Sequence, residues 1–251
     1  MVVHAFGQTA DMDPIMKIAQ AHRLKVIEDA ACALGAGYRN LPAGSIGDIA
    51  AVSFHARKNI TCGEGGAVLT NNQKYADRVR SLSCFGIKPA YQRQHKFEIP
   101  SFRSLGYNYK LSDINAAIVI AQLKRYPSLT KRRLALVKIY DTLLKECPYL
   151  TVPFHPKAAF HVYQTYAVVL KPAIDRNKLI LSLREEGVET QIGTYSACIQ
   201  PVYHSTDRCP RSLYLYRHSL ALPLYPGLAE NDVKTVAHKL KEHIYRQVKR
   251  K

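Results

Sequence analysis

Residues 53–70 read SFHARKNITCGEGGAVLT. An apolar run from Ile49 to Phe54 leads into this stretch and Gly66 to Thr70 closes it, so two short buried strands flank a loop carrying Lys58 and the glycines Gly63, Gly65 and Gly66. A loop between two core strands is where α/β proteins place their chemistry. Read alone, Lys58 is an ordinary solvated lysine, and its surroundings have to decide otherwise.

On the N-terminal side, Asp13 and Pro14 form the cap and first turn of a helix with Ile15, Ile18 and Ala19 on one face, and Lys25 to Asp29 follow as a strand. On the C-terminal side come a helix from Asn72 to Ser83, an irregular Gln- and Pro-containing stretch to Gly106, and a helix capped by Ser112. The Ala/Ile/Val run of that helix predicts burial on several sides, and Pro127 with Ser128 is expected to end it. Leu134, Val137, Tyr140 and Leu144 then recur at helical spacing, and FHVYQTYAVVL (160–170) reads as one strand. Asp175 opens a helix that Gly187 closes, a strand lies near VETQIGT, and a last helix begins near Glu230. This order predicts an α/β domain with a mixed, mostly parallel sheet over residues 1–127 and a small α+β domain over 128–251.

Composition narrows the function. A chain of 251 residues that is 47% hydrophobic and 22% charged can bury a real core and is not disordered. The formal charge of +17 comes from scattered residues, dense only at Lys131–Arg133 and Lys249–Lys251. A solvated basic face is the first reading of that charge, attraction to phosphate-bearing small molecules the second. Nucleic acid ranks third, because no binding motif accompanies the charge. The six cysteines show no CxxC pair and no His/Cys zinc spacing, so no metal is expected and reduced thiols fit the cytoplasm. The start lacks a signal-peptide layout, and no apolar stretch approaches the roughly 20 residues of a membrane helix.

Three stretches carry a resemblance: VIEDAACALGAGYRNLPAGSIGDIAAVSFHARKNITCGEGGAVLTNN, LGYNYKLSDINAAI and LPLYPGL. In this order they resemble the DegT/DnrJ/EryC1/StrS family of pyridoxal-phosphate-dependent sugar aminotransferases. The resemblance implies a partial fold-type I large domain followed by the small domain, with pyridoxal 5'-phosphate as cofactor. The reaction it implies is amino transfer from glutamate to a keto sugar nucleotide, in amino-sugar or cell-surface polysaccharide biosynthesis. Lys58 matches the lysine that bonds covalently to the cofactor, a role that requires a free, deprotonated amine. Asp29 matches the acid that pairs with the pyridine nitrogen, and Ser53 matches a phosphate-contacting serine. Asn108, in GYNY, matches a residue reaching the phosphate of a neighbouring subunit, which implies a homodimer with shared sites. Without the resemblance, Asp29 is a surface aspartate, Ser53 a strand residue and Asn108 a turn residue; His55 lines the site or simply a loop.

The sequence departs from the family at two cysteines. Cys32 stands where relatives carry Gln or His beside the ring, and Cys198 where many carry a histidine near the sugar. Tyr195 either contacts substrate or packs as an ordinary tyrosine. VVHAFGQTADMDPI resembles a stretch well inside family members, so the part that supplies their main phosphate loop and stacking aromatic is expected to be missing. The alternative function is therefore a truncated, catalytically inactive relative or an interaction protein.

Overall fold

The computed structural model describes residues 1–87, 97, 99–102 and 104–249. In chain order the elements begin with β1 (Val2–Val3), α1 (Met12–Ala21), β2 (Ile27–Asp29), β3 (Gly37–Tyr38) and β4 (Leu41–Pro42). Next come β5 (Ile49–Ser53), β6 (Gly66–Leu69), α2 (Gln73–Ser83), α3 (Asp113–Leu144), β7 (Leu150–Thr151) and β8 (Ala159–Phe160). The chain continues through β9 (Tyr166–Leu170), α4 (Arg176–Glu185), β10 (Gln191–Ile192), α5 (Pro210–His218), β11 (Ser219–Leu222) and α6 (Glu230–Lys249). The irregular Gln- and Pro-containing stretch falls largely outside the described residues, as do the last two residues of the basic tail. Two compact units emerge, Met1–Pro127 with Lys157–Val162, and Ser128–Pro156 with Tyr163–Lys251.

The first unit is built on a sheet of order β1-β2-β5-β6. β1, β2 and β5 run parallel and β6 antiparallel to β5, a mixed and mostly parallel arrangement. Asp29 lies opposite Val3 and Ala51, and Ser53 lies opposite Gly66. Side chains alternate across a strand, so Asp29 and Ser53 share a face with Ile27, Val3 and Val68, three apolar residues that are exposed. The other face carries Glu28, Ala50 and Val52 into the interior. A second small sheet, β4-β3-β8, packs Tyr38 with Met12, Ala19 and Val26.

Glu28 is fully buried and its carboxylate accepts four hydrogen bonds. Oε1 accepts from the amides of Ile46 (2.7 Å) and Gly47 (2.5 Å), and Oε2 from the amide of Gly44 (2.8 Å) and from His4 Nε2 (2.8 Å). His4 Nδ1 accepts from the Ala10 amide, so the ring proton is on Nε2 and points at the carboxylate. Burial pushes the Glu28 carboxyl up, but the bonds from His4 and from the Gly47, Gly44 and Ile46 amides outweigh it and bring the group down to about 2.

The second unit is an antiparallel sheet, β10-β11-β9-β7, packed with α4, α6 and the later part of α3. Val137, Tyr140 and Leu144 are buried there, as their spacing predicts. Tyr140 stacks on Tyr166 (ring centroids 4.8 Å), which faces Tyr163 at 6.1 Å. Tyr140 Oη donates to the Pro223 carbonyl and Tyr166 Oη to Asp141. Burial raises all three phenols well above the ordinary tyrosine range, and the charge of Asp141 adds to the rise at Tyr163 and Tyr166.

Asp175 opens its helix as expected, and Asn72 proves to be the cap of α2; each side chain accepts two backbone amides of the first turn. Other expectations require correction. The first helix starts at Met12 with Asp11 at its cap, because Tyr38 Oη binds the Asp11 carboxylate, and Asp13 instead pairs with Arg39 at 2.8 Å. α3 does not stop at Pro127 but contains it: proline removes one amide, and helical residues on both sides carry the helix through. The Ala/Ile/Val run buries only Val119 and leaves Ile114, Ile118, Ile120 and Leu123 exposed. The predicted strand 160–170 is two, β8 and β9, separated where Tyr163 takes a positive φ of 50° and the Val162 amide donates to Gly7.

The Glu28 cluster has a measurable pH signature. Folding lowers this carboxyl from 4.5 to about 2, so its stabilisation is complete above pH 4.5 and is lost as the pH falls towards 2. Glu28→Gln places an NH2 donor against other donors, and we expect urea unfolding at neutral pH to show a loss of about 3 kcal/mol. The same variant will lose less stability than the parent between those two pH values.

Candidate active site

β5 ends at Ser53, and the chain then makes a loop that the backbone of Phe54 closes. The Phe54 amide donates to Gly65 O (2.8 Å), and its carbonyl accepts from the Cys62 amide and from Thr61 Oγ1, both at 3.0 Å. Phe54, Ile60 and Cys62 are buried, and Gln122 of α3 braces Thr61 through both its amide and its carbonyl. Lys58 is thereby carried on an anchored turn, its own amide bonded to His55 O.

The second wall is the turn after β2. Ala30, Ala33, Ala36 and Ala43 are all buried against Val52 and Phe54, and only small side chains let this segment lie so close to β5. The Ala30 amide donates to Ala51 O, and the Ala33 amide donates back to Ala30 O. Cys32 projects from this turn, and Lys58 Nζ lies 3.1 Å from its Sγ. Asp29 ends β2, with Oδ1 accepting from the Ala31 amide at 3.1 Å and Oδ2 without a hydrogen bond among the described residues. Ser53 Oγ accepts from the His55 amide at 3.2 Å, which leaves its hydroxyl proton available to an anion. Lys58, Cys32, Asp29 and Ser53 thus gather at the carboxyl ends of two parallel strands.

His55 is on the same turn, its Nδ1 accepting from the Arg57 amide and its Nε2 3.6 Å from Glu64. Asn108 is elsewhere in the unit: it is exposed, its carbonyl oxygen accepts from Lys110, and the rings of its two sequence neighbours, Tyr107 and Tyr109, stack on each other (4.8 Å). Among the described residues no hydrogen bond joins it to the Lys58 cluster. Tyr195 and Cys198 belong to the second unit, where Tyr195 is exposed beside Tyr216. Sequence reasoning missed Glu28, His4 and Gln122, which hold the site without entering it. The acidic doublet Glu28-Asp29 was the available signal, since alternation sends its two members to opposite faces.

Lys58, on the loop after β5, thus faces the Cys32 turn that follows Asp29 at the end of β2. The chain belongs to the DegT/DnrJ/EryC1/StrS aminotransferase family, whose model matches residues 1–241. It is 35% identical to an uncharacterized protein of Methanocaldococcus jannaschii and 34% identical to the spore coat polysaccharide biosynthesis protein SpsC of Bacillus subtilis. In both comparisons the match covers 96% of this chain and 65% of the relative, so the chain spans just under two thirds of their length. Its fold superposes on the crystal structure of the aminotransferase TlmJ from Streptoalloteichus hindustanus with a TM-score of 0.89 at 26% identity, covering 98% of this chain and 65% of that one.

The glycine opposite Ser53 is a steric requirement. A Cβ on Gly66 would meet the Val52 carbonyl oxygen at 2.7 Å, which only a shift of the β5 backbone relieves. Gly66→Ala is expected to lower stability by roughly 1–3 kcal/mol in thermal or urea unfolding, and to disturb the Lys58 loop with it.

Proposed function

We propose that this chain carries the reactive residues of a pyridoxal-5'-phosphate-dependent aminotransferase acting on a nucleotide-linked keto sugar, with glutamate as amino donor. We propose further that residues 1–127 contain the cofactor-binding part and the second unit is the family's small domain. The observation that carries the reading is the placement of the Lys58 amine against the Cys32 turn, with Asp29 and Ser53 at the ends of the adjoining strands. This donor set fits the cofactor: an amine, a carboxylate with one oxygen available, and a hydroxyl that has a proton to give. Family membership and the name of the Bacillus subtilis relative, a polysaccharide biosynthesis protein, support the substrate class.

When bound, pyridoxal phosphate supplies an aldehyde and an electron-accepting ring. In this reading Lys58 Nζ would hold the cofactor through its aldehyde and would serve as the group that moves a proton at the reacting carbon. Asp29 would pair with the ring nitrogen and hold its proton in place. Ser53 donates to a phosphate oxygen. Cys32 lines the ring with a thiol, a weak hydrogen-bonding partner. In this reading Asn108, exposed on the surface, reaches the phosphate of a second copy in a homodimer, and Tyr195, Cys198 and His55 are each candidates for substrate contact.

A second reading is a catalytically inactive relative or interaction protein. The exposed Val3, Ile27 and Val68 on the face shared with Asp29 and Ser53 support it.

Borohydride reduction of the chain mixed with pyridoxal phosphate, followed by peptide mass analysis, will place the pyridoxyl group on Lys58. Neither Lys58→Ala nor Lys58→Arg will take the label there, since a guanidinium stays protonated and does not attack an aldehyde. Label spread over other lysines refutes the assignment.

With glutamate and a keto sugar nucleotide, 2-oxoglutarate should appear in step with amino sugar, and Asp29→Asn should slow it by about 10²–10³. Labelling at Lys58 without turnover supports the second reading, and elimination of water from the sugar without 2-oxoglutarate overturns transamination.

A further inference from the structure

The second unit holds a thiol pair that neither the cofactor chemistry nor the fold requires. Cys198 lies in a short 3-10 turn, Ala197–Ile199, and Cys209 is the cap residue of α5. Cys198 is partly exposed and Cys209 exposed, in contrast to the buried Cys62 and Cys147. Both line one surface cavity of about 520 Å³, together with Tyr203, His204 and Asp207. The Cys209 thiol and amide lie close enough to the Cys198 sulfur to act on its ionisation. Ser196, fully buried, lies with its Oγ 3.1 Å from the same sulfur, and Ser212 Oγ donates to Ser196 Oγ at 3.0 Å. With its acceptor side occupied by Ser212, the Ser196 hydroxyl is oriented to donate to Cys198.

We propose that Cys198 and Cys209 are a peroxide-oxidisable pair, Cys198 being the attacking sulfur and Cys209 the resolving one. Every donor around Cys198 favours its anion, the form that attacks. The Ser196 hydroxyl leads, burial opposes it, and with the Cys209 thiol and amide it holds the Cys198 thiol below its ordinary range, while the neighbouring Cys198 raises that of Cys209. The Cys198 thiolate attacks one oxygen of hydrogen peroxide: an S–O bond forms, the O–O bond breaks, and the leaving hydroxide takes up a proton as water. The Cys209 sulfur then attacks the resulting sulfenic sulfur. The S–S bond forms, the S–O bond breaks, and hydroxide leaves with the Cys209 proton as a second water. The sum is two thiols and one peroxide to one disulfide and two waters. The product closes residues 199–208 into a loop, restraining the turn at His204, whose φ is +45°. The proposal concerns the second unit alone and does not rest on the aminotransferase reading.

The experiment is peroxide titration of the full, reduced chain with thiol counting and peptide mapping. The expected result is loss of two thiols and a cross-linked peptide joining Cys198 to Cys209. Cys209→Ser should stop at a sulfenic acid on Cys198 that a dimedone probe traps, and Cys198→Ser should slow oxidation of Cys209 about tenfold. Cys32→Ser should leave the cross-link unchanged. A disulfide between two copies, oxidation mainly at Cys32 or Cys84, or a stable sulfenic acid on Cys198 in the unmodified sequence overturns the proposal. Since Cys209 is exposed, its serine variant is expected to fold, and circular dichroism of each variant checks that directly.

Discussion

A single buried carboxylate holds the first unit in order. Glu28 has lost all contact with water, and four donors from two separate segments replace it: the His4 ring, and the amides of Gly44, Ile46 and Gly47 in one loop. An uncompensated charge at this depth would be prohibitive, so those segments have little freedom to be elsewhere. The chain after β1, strand β2 and the approach to β5 are therefore tied at one point. Because Glu28 faces inward, Asp29 faces outward by strand alternation, beside the turn that carries Cys32. The fold-holding acid and the candidate catalytic acid are consecutive residues with opposite environments.

Where local chemistry decides structure, the sequence was readable. Asn72 and Asp175 cap helices, Gly187 ends one with a positive φ of 78°, and the Lys58 loop lies between the two strands that its flanks predict. The family motifs suggested roles for Lys58, Asp29 and Ser53 that spacing alone left open. Distant partners decided the rest. Nothing near Asp13 announces that Tyr38 will occupy Asp11, and nothing in FHVYQTYAVVL announces that its first residue, Phe160, pairs with β3. Pro127 was a sound local stop signal that a long helix overrode. Gln122 reads as a surface residue until its two hydrogen bonds to Thr61, sixty-one positions earlier, are seen.

The basic composition also changes meaning in three dimensions. The cluster Lys131–Arg133 reads as a solvated patch, yet Arg133 is buried and donates to the carbonyls of Tyr163 and Leu224, while Arg132 binds Leu228 O and Glu230. Arg176, also buried, donates to the carbonyls of Tyr216 and Ser219. A planar guanidinium serves several carbonyls at once, which suits it to loop ends lacking amide partners. Part of the excess positive charge is therefore structural and is not offered to an outside partner.

The stacked phenols of the second unit make it spectroscopically distinct. The chain has no tryptophan, so its near-ultraviolet signals come mainly from tyrosine. Tyr140, Tyr163 and Tyr166 are sealed from water and resist ionisation, whereas Tyr107, Tyr109 and Tyr195 already meet solvent in the folded chain. In alkali the stability from the three buried phenols is complete below about pH 10 and is lost as the pH rises, so their phenolate absorbance emerges only as their packing opens. The second unit thereby contains its own optical reporter of unfolding, with no label attached.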